Sequence, residues 1–307
     1  MGLVKVVFSV SMLAQTIRIS TPYVFAALGG VFSERGGVVN VALEGIMLQG
    51  AFCAVVGAYY TGNGWVGVLA AIIGGALMAL IHGIVSIKYR TNQIISGIAL
   101  NLLAVGLTKF FLKLIFQSSS NSSRIEGIPS IKLPLVSSIP IVNLFLEYPL
   151  ILLALVSVIL SQIVIFRTKF GLHLRAVGEN PEAACTLGIN VFRTRYLGVI
   201  LSGVLAGLGG AWLTLDQHQF TDGISGGRGF IALAAMIFGR WNPTGASLAC
   251  LLFGFADALQ LQLQSIGTTI PTQFVQMIPY LVTMIALAGG IGRAIPPAAD
   301  GVPYVKE

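Results

Sequence analysis

Apolar residues run along this chain in long blocks that polar punctuation cuts apart. Residues 38–60, 66–87, 94–116 and 196–215 each approach the roughly 20 residues a helix needs to cross a bilayer. Residues 150–166, 245–261 and 271–288 form shorter blocks of the same kind. Period-two alternation is absent, so the pattern predicts helices and not a barrel. Residues 3–17 lack a small-x-small cleavage site and read as a retained first span. Pro22 then opens a short run, 23–32, which the polar stretch Ser33-Glu34-Arg35-Gly36-Gly37 interrupts; residues 230–238 form a second short run between glycine-rich segments. The expected architecture is all-α: a polytopic transmembrane helical bundle, one domain over residues 1–307, with about ten crossings including short or broken helices.

Composition reinforces this reading. Hydrophobic residues make up 55% of the chain and charged residues only 9%, against about 25% in soluble domains. The formal charge of +7 suggests a nucleic-acid surface until the cations are located, because they sit at the ends of apolar runs and do not cluster. One set of alternate loops carries Lys5, Arg35, Lys88, Arg90, Arg167, Lys169, Arg175, Arg193, Arg195, Arg240, Arg293 and Lys306; the other carries Arg18, Arg124, Lys132 and Arg228. Positive charge favours the cytoplasmic side, which puts both termini and the loop 167–195 in the cytoplasm and the loop 117–147 outside. Lys109 and Lys113 fall near the outer end of a span, within snorkelling reach of the surface.

Chemistry of the enzymatic kind finds no foothold. Cys53, Cys185 and Cys250 have no metal-ligand spacing, and His82, His173 and His218 are scattered. The dipeptide Gly-Lys never occurs, so a Walker-type phosphate loop is excluded.

Polar side chains inside spans are expensive and therefore informative. Asn40 and Glu44 lie four residues apart, on one helical face beyond a glycine-rich break, and with Asn101 they are candidates for a translocation path. The competing reading makes Asn40 a helix cap and Glu44 a partner of a cation such as Arg35. Asp216, Gln217, Gln219 and Asp222, at the outer end of a span, either meet a delivered solute or are simply solvated. Gly203 with Gly207, and Gly75, Ala79 and Gly83, put small residues at four-residue steps, the spacing of close helix packing. A faint echo at an offset of 205 pairs Phe25, Ala27, Leu28, Arg35 and Leu43 with Phe230, Ala232, Leu233, Arg240 and Leu248.

The longest polar interval, 170–189, contains a helix signal of its own. Asn180 reads as an N-cap, Pro181 as the first helical residue, Glu182 as a first-turn acid and Gly188 as a stop. Two turns are unstable alone in water, so the segment is either a solvated connector or a docking element whose small Ala183 and Ala184 admit a partner.

Arg175-Ala-Val-Gly-Glu-Asn-Pro-Glu-Ala-Ala184, followed by Gly188-Ile189, resembles the cytoplasmic coupling loop of permease subunits in the ABC importer group for branched-chain amino acids, simple sugars and nucleosides. Residues 25–45, Phe-Ala-Ala-Leu-Gly-Gly-Val-Phe-Ser-Glu-Arg-Gly-Gly-Val-Val-Asn-Val-Ala-Leu-Glu-Gly, resemble the signature of the smaller permease of nucleoside importers. The resemblance implies a transport subunit of the bacterial cytoplasmic membrane, without its own ATP site or cofactor. Arg175, Gly178, Glu179, Asn180, Pro181, Glu182, Ala183, Ala184 and Gly188 would then couple it to a separate ATPase that holds ATP and magnesium. A second, larger permease, an extracytoplasmic substrate-binding lipoprotein, membrane lipid and a small solute, most readily a nucleoside, complete the implied partners; nucleic acid is not among them. The alternative is an ion-coupled secondary transporter that uses Glu44 as its coupling site.

Overall fold

A computed structural model describes residues 9–129, 145–265 and 294–305, together with Gln273, Phe274, Met277, Leu281 and Met284. Ten α-helices occur among them: α1 (Val10–Arg35), α2 (Leu43–Thr61), α3 (Gly64–Gly83), α4 (Gln93–Phe116), α5 (Pro149–Arg167), α6 (Lys169–Glu179), α7 (Pro181–Thr186), α8 (Val191–Gln217), α9 (Arg228–Phe238) and α10 (Pro243–Ser265). A π-helical turn, Ile84–Lys88, extends α3.

Side-chain caps start many of these helices. Ser9, Asn63, Asn92, Thr168, Asn180 and Asn190 each accept a hydrogen bond from a backbone N–H of the following first turn. Pro149 and Pro181 occupy first-turn positions, where a missing N–H costs nothing.

α1, α2, α3 and α8 form the packed centre. Small residues set their spacing: a Cβ on Gly203 would lie 2.4 Å from the Gly75 carbonyl oxygen, and one on Gly207 2.5 Å from that of Ala71. The four-residue glycine and alanine steps in the sequence are therefore the seam between α3 and α8. α4 and α5 flank this centre and turn apolar side chains outward, among them Leu102, Phe110 and Ile159. The molecule is a multi-pass membrane protein.

The count of ten crossings is not reproduced. Among the described residues six helices are long and apolar enough to cross: α2, α3 with its π turn, α4, α5, α8 and α10. Pro22 does not start a new helix; the runs around it join into the 26-residue α1. Tertiary packing overrides the proline, because α1 is sandwiched between α8 and α10. One helix in place of two also removes the reversal expected near Arg18, so Ser9 and Arg35 stand at opposite ends of α1. α9 has 11 residues, roughly 16 Å, half a bilayer core. Residues 130–144 of the predicted loop 117–147, and the predicted span 271–288 apart from Gln273, Phe274, Met277, Leu281 and Met284, lie outside the described residues.

Candidate functional site

The polar interval folds back against the bundle as two helices. Thr168 caps α6, and the absence of a side chain at Gly171 lets α6 turn on α5: a Cβ there would meet the Val164 carbonyl oxygen at 2.1 Å. Leu174, Val177 and Gly178 face inward. Gly178 is pressed against the end of α1, where a Cβ would come within 2.2 Å of the Arg35 carbonyl oxygen. The Arg175 guanidinium lies 5.1 Å from the centre of the Phe166 ring.

α7 forms as its sequence predicts. Asn180 Oδ1 accepts from the Ala183 N–H at 3.0 Å, and Gly188 leaves the helix with φ +82, the left-handed region that favours glycine. Glu182, Ala183, Thr186 and Leu187 are exposed, Leu187 at 80%. Ala184 differs from expectation: it is buried against Val177, Val191 and Tyr304, so Ala183 alone offers a small side chain outward. The nine predicted coupling residues thus divide. Arg175, Gly178 and Glu179 seat α6, Asn180, Pro181 and Gly188 shape α7, Glu182 and Ala183 face out, and Ala184 anchors.

Residues 294–305 strap this unit. The Ala299 N–H donates to the Gly178 carbonyl at 2.8 Å, the Ala298 N–H to Glu179 Oε2 at 3.3 Å, and Arg195 Nη1 to the Val302 carbonyl at 3.0 Å. The rings of Phe192 and Tyr304 stand 5.4 Å apart. Burial pushes the Asp300 carboxyl up to about 7, against the opposing pull of Arg195.

A second unit surrounds the break after α1. Leu43 packs beside Gly30, so α2 begins more than one turn inward from Arg35, and residues 36–42 re-enter the bundle. Their backbone is satisfied by side chains. The Val39 N–H donates to Gln93 Oε1 at 2.7 Å, His82 Nε2 lies 2.9 Å from the Val39 carbonyl, and Asn101 Nδ2 donates to the Val41 carbonyl at 3.0 Å. Asn101 Oδ1 accepts from Gly45 N–H at 2.8 Å. Asn40, fully buried, accepts from the Ala42 N–H and donates to Ser202 Oγ at 2.8 Å. Glu44 receives the Gly227 N–H at 2.9 Å and the Gly229 N–H at 2.7 Å, one on each carboxylate oxygen, and so caps α9 from across the bundle. All three path candidates bond to the backbone of broken segments.

The echo at offset 205 becomes physical contact. Arg35 donates through Nε to the Trp241 carbonyl at 2.8 Å and through Nη2 to that of Arg240 at 3.3 Å, while Trp241 Nε1 donates to Glu34 at 2.6 Å. α1 and α9 therefore end side by side, each followed by a break and another helix.

A family described as branched-chain amino acid transport system, permease component, matches residues 12–287. The chain belongs to this permease family. The permease is 43% identical over 303 residues, 95% of each chain, to the guanosine ABC transporter permease protein NupQ of Bacillus subtilis (strain 168). It is 45% identical over 307 residues, 96% of each chain, to the nucleoside ABC transporter permease protein NupC of Lactococcus lactis subsp. cremoris (strain MG1363). NupP, another guanosine ABC transporter permease protein of that Bacillus strain, matches at 28% over 275 residues, 86% of this chain and 77% of its own.

At the end of the permease away from α7, polar side chains gather again. Arg18 Nη2 meets Asp216 Oδ1 at 2.8 Å, and Lys109 meets Asp222 at 3.1 Å. Gln219 Nε2 donates to the Ser122 carbonyl at 2.7 Å, and the Asp222 N–H to that of Ser120 at 2.8 Å, so these two residues hold the described part of the 117–147 loop. The sequence flagged Asp216 but not its partner on α1. His82, Gln93 and Ser202 were also passed over, although each is a polar residue in an apolar span and carries the same cost signal as Asn40.

Proposed function

We propose that this permease is the smaller of two membrane subunits of an ATP-driven importer that carries nucleosides across the bacterial cytoplasmic membrane. Near-full-length identity of 43–45% to permeases named for guanosine and nucleosides carries the reading. Separate ATPase subunits, holding ATP and magnesium, dock on the exposed face of α7; a larger permease paralogue and an extracytoplasmic binding lipoprotein complete the assembly. α6, α7 and the C-terminal strap then lie in the cytoplasm, and the 117–129 and 218–227 segments outside. The ion-coupled alternative loses its main support, since both oxygens of Glu44 are engaged by backbone amides.

The test is uptake of radiolabelled guanosine and uridine by cells that lack other nucleoside uptake and express this chain with its ATPase, second permease and lipoprotein. Uptake should vanish when any one component is omitted or ATP is depleted, and survive a protonophore while ATP is maintained. ATP hydrolysis by a verified single-chain preparation, or uptake driven by an ion gradient without ATP, would overturn the proposal.

A further inference from the structure

A polar cavity of about 670 Å³ opens between the first half of α1, the start of α5 and the end of α8. That volume falls in the range of small-molecule sites, roughly 300–1,000 Å³. α1, α5 and α8 each present their other end to the α6–α7 unit, so the cavity lies across the bundle from the coupling helices.

Its walls combine two chemistries. The first is aromatic: Tyr148 and Trp212 meet edge to face, ring centres 5.8 Å apart, and both line the space. The second is polar and balanced in charge. Arg18 lies 4.4 Å over the Tyr148 ring while bonding Asp216 at 2.8 Å. Among the described lining residues Arg18 and Arg228 are offset by Glu147 and Asp216, so the cavity favours no net charge on its occupant. Gln15 adds an amide with both donor and acceptor. Pro22, also in the wall, has no N–H, which deprives the Arg18 carbonyl of its usual helical donor.

From this combination we infer that the cavity is the solute-binding site of the permease, and that it takes an uncharged nucleoside. The base stacks on the Tyr148–Trp212 pair, and the ribose hydroxyls exchange hydrogen bonds with Asp216, Arg18 and Gln15. An anionic nucleotide gains no excess of cations here, and a branched-chain amino acid, whose zwitterionic head matches the charged wall, has an aliphatic side chain that gives the aromatic wall no flat ligand. A sugar matches the hydroxyl partners but leaves the aromatic wall without a flat ligand. The inference deepens the function proposed above and rests on it for the ligand class.

Quenching of tryptophan fluorescence tests it on the detergent-purified complex without its binding lipoprotein. Adenosine, guanosine, uridine, glucose and leucine are titrated in turn. Nucleosides should quench saturably, and Trp212→Phe should remove the signal while binding measured with labelled nucleoside remains. Tyr148→Leu and Asp216→Asn should each weaken nucleoside binding about tenfold, with Tyr148→Phe close to the parent. Co-purification of the ATPase controls for misfolding in every variant. Nucleoside uptake and binding unchanged in both Tyr148→Leu and Asp216→Asn would overturn the site while sparing the importer. Saturable binding of glucose or leucine with nucleosides inert would overturn the ligand class and the proposed nucleoside function together.

Discussion

Glu44 shows how a polar residue in an apolar span can be expensive and still structural. Its carboxylate satisfies two N–H groups at the N-terminus of α9, where a helix has no donors' partners of its own and carries a partial positive charge. Removing it strands both amides, at a cost of about 2 kcal/mol or more. Glu44→Ala should therefore lower the melting temperature of the purified complex by several degrees, and Glu44→Gln by less, because an amide oxygen still accepts one bond. Neither change should introduce a sodium or proton dependence into uptake, and its appearance in flux assays would return Glu44 to an ion-coupling role. The sequence singles out Asn40 and Glu44, but the shared helical face it predicts is not found, because Asn40 lies in the irregular segment before α2. Their partners were not legible either: Ser202 and the Gly227–Gly229 amides are more than 160 residues away, and only the folded chain brings them near.

Helix α7 is the element most legible from sequence, because its ends are set locally by Asn180, Pro181 and Gly188, whereas α6, capped by Thr168, falls in what the sequence shows only as a polar interval. Orientation about the α7 axis was not legible, since it depends on Val177, Val191 and Tyr304. That orientation decides which substitutions probe docking. Ala183→Trp and Glu182→Arg change the outward face and should abolish co-purification of the ATPase while leaving the melting temperature of the permease within about 1–2 °C of the parent. Ala184→Trp overfills a buried site and should destabilise by about 1–3 kcal/mol. Normal co-purification and transport with Ala183→Trp would exclude α7 as the docking helix. Pro22 shows the opposite limit of local signals. A proline normally ends a helix, yet burial between α8 and α10 keeps α1 helical through it, and the crossing count changes with it.

At the scale of the molecule, three regions far apart in sequence converge behind α7: the end of α1, the start of α8 and the strap at 294–305. Arg195 is 2% exposed, and among the described residues its Nε and Nη2 have no hydrogen-bond partner, as is true of Asp300 Oδ1. Glu34 and Glu179 lie on the other side of the strap, with Glu34 close enough to repel an ionised Asp300. Burial raises the Asp300 carboxyl from 3.8 to about 7, so the docked strap binds a proton more tightly than the released one. The sign follows: this contribution to docking is complete below about pH 4 and is lost as pH rises through 7. Hydrogen exchange at residues 295–305, corrected for intrinsic rates, should be slower at pH 5.5 than at pH 8.5, and Asp300→Asn should hold the slow rate at both. The strap touches Gly178 and Glu179 directly, so its release at high pH should also speed exchange in α6 while leaving the glycine-packed α3–α8 seam unchanged. Equal protection of the strap at both pH values in the parent protein would show that Asp300 does not govern its docking.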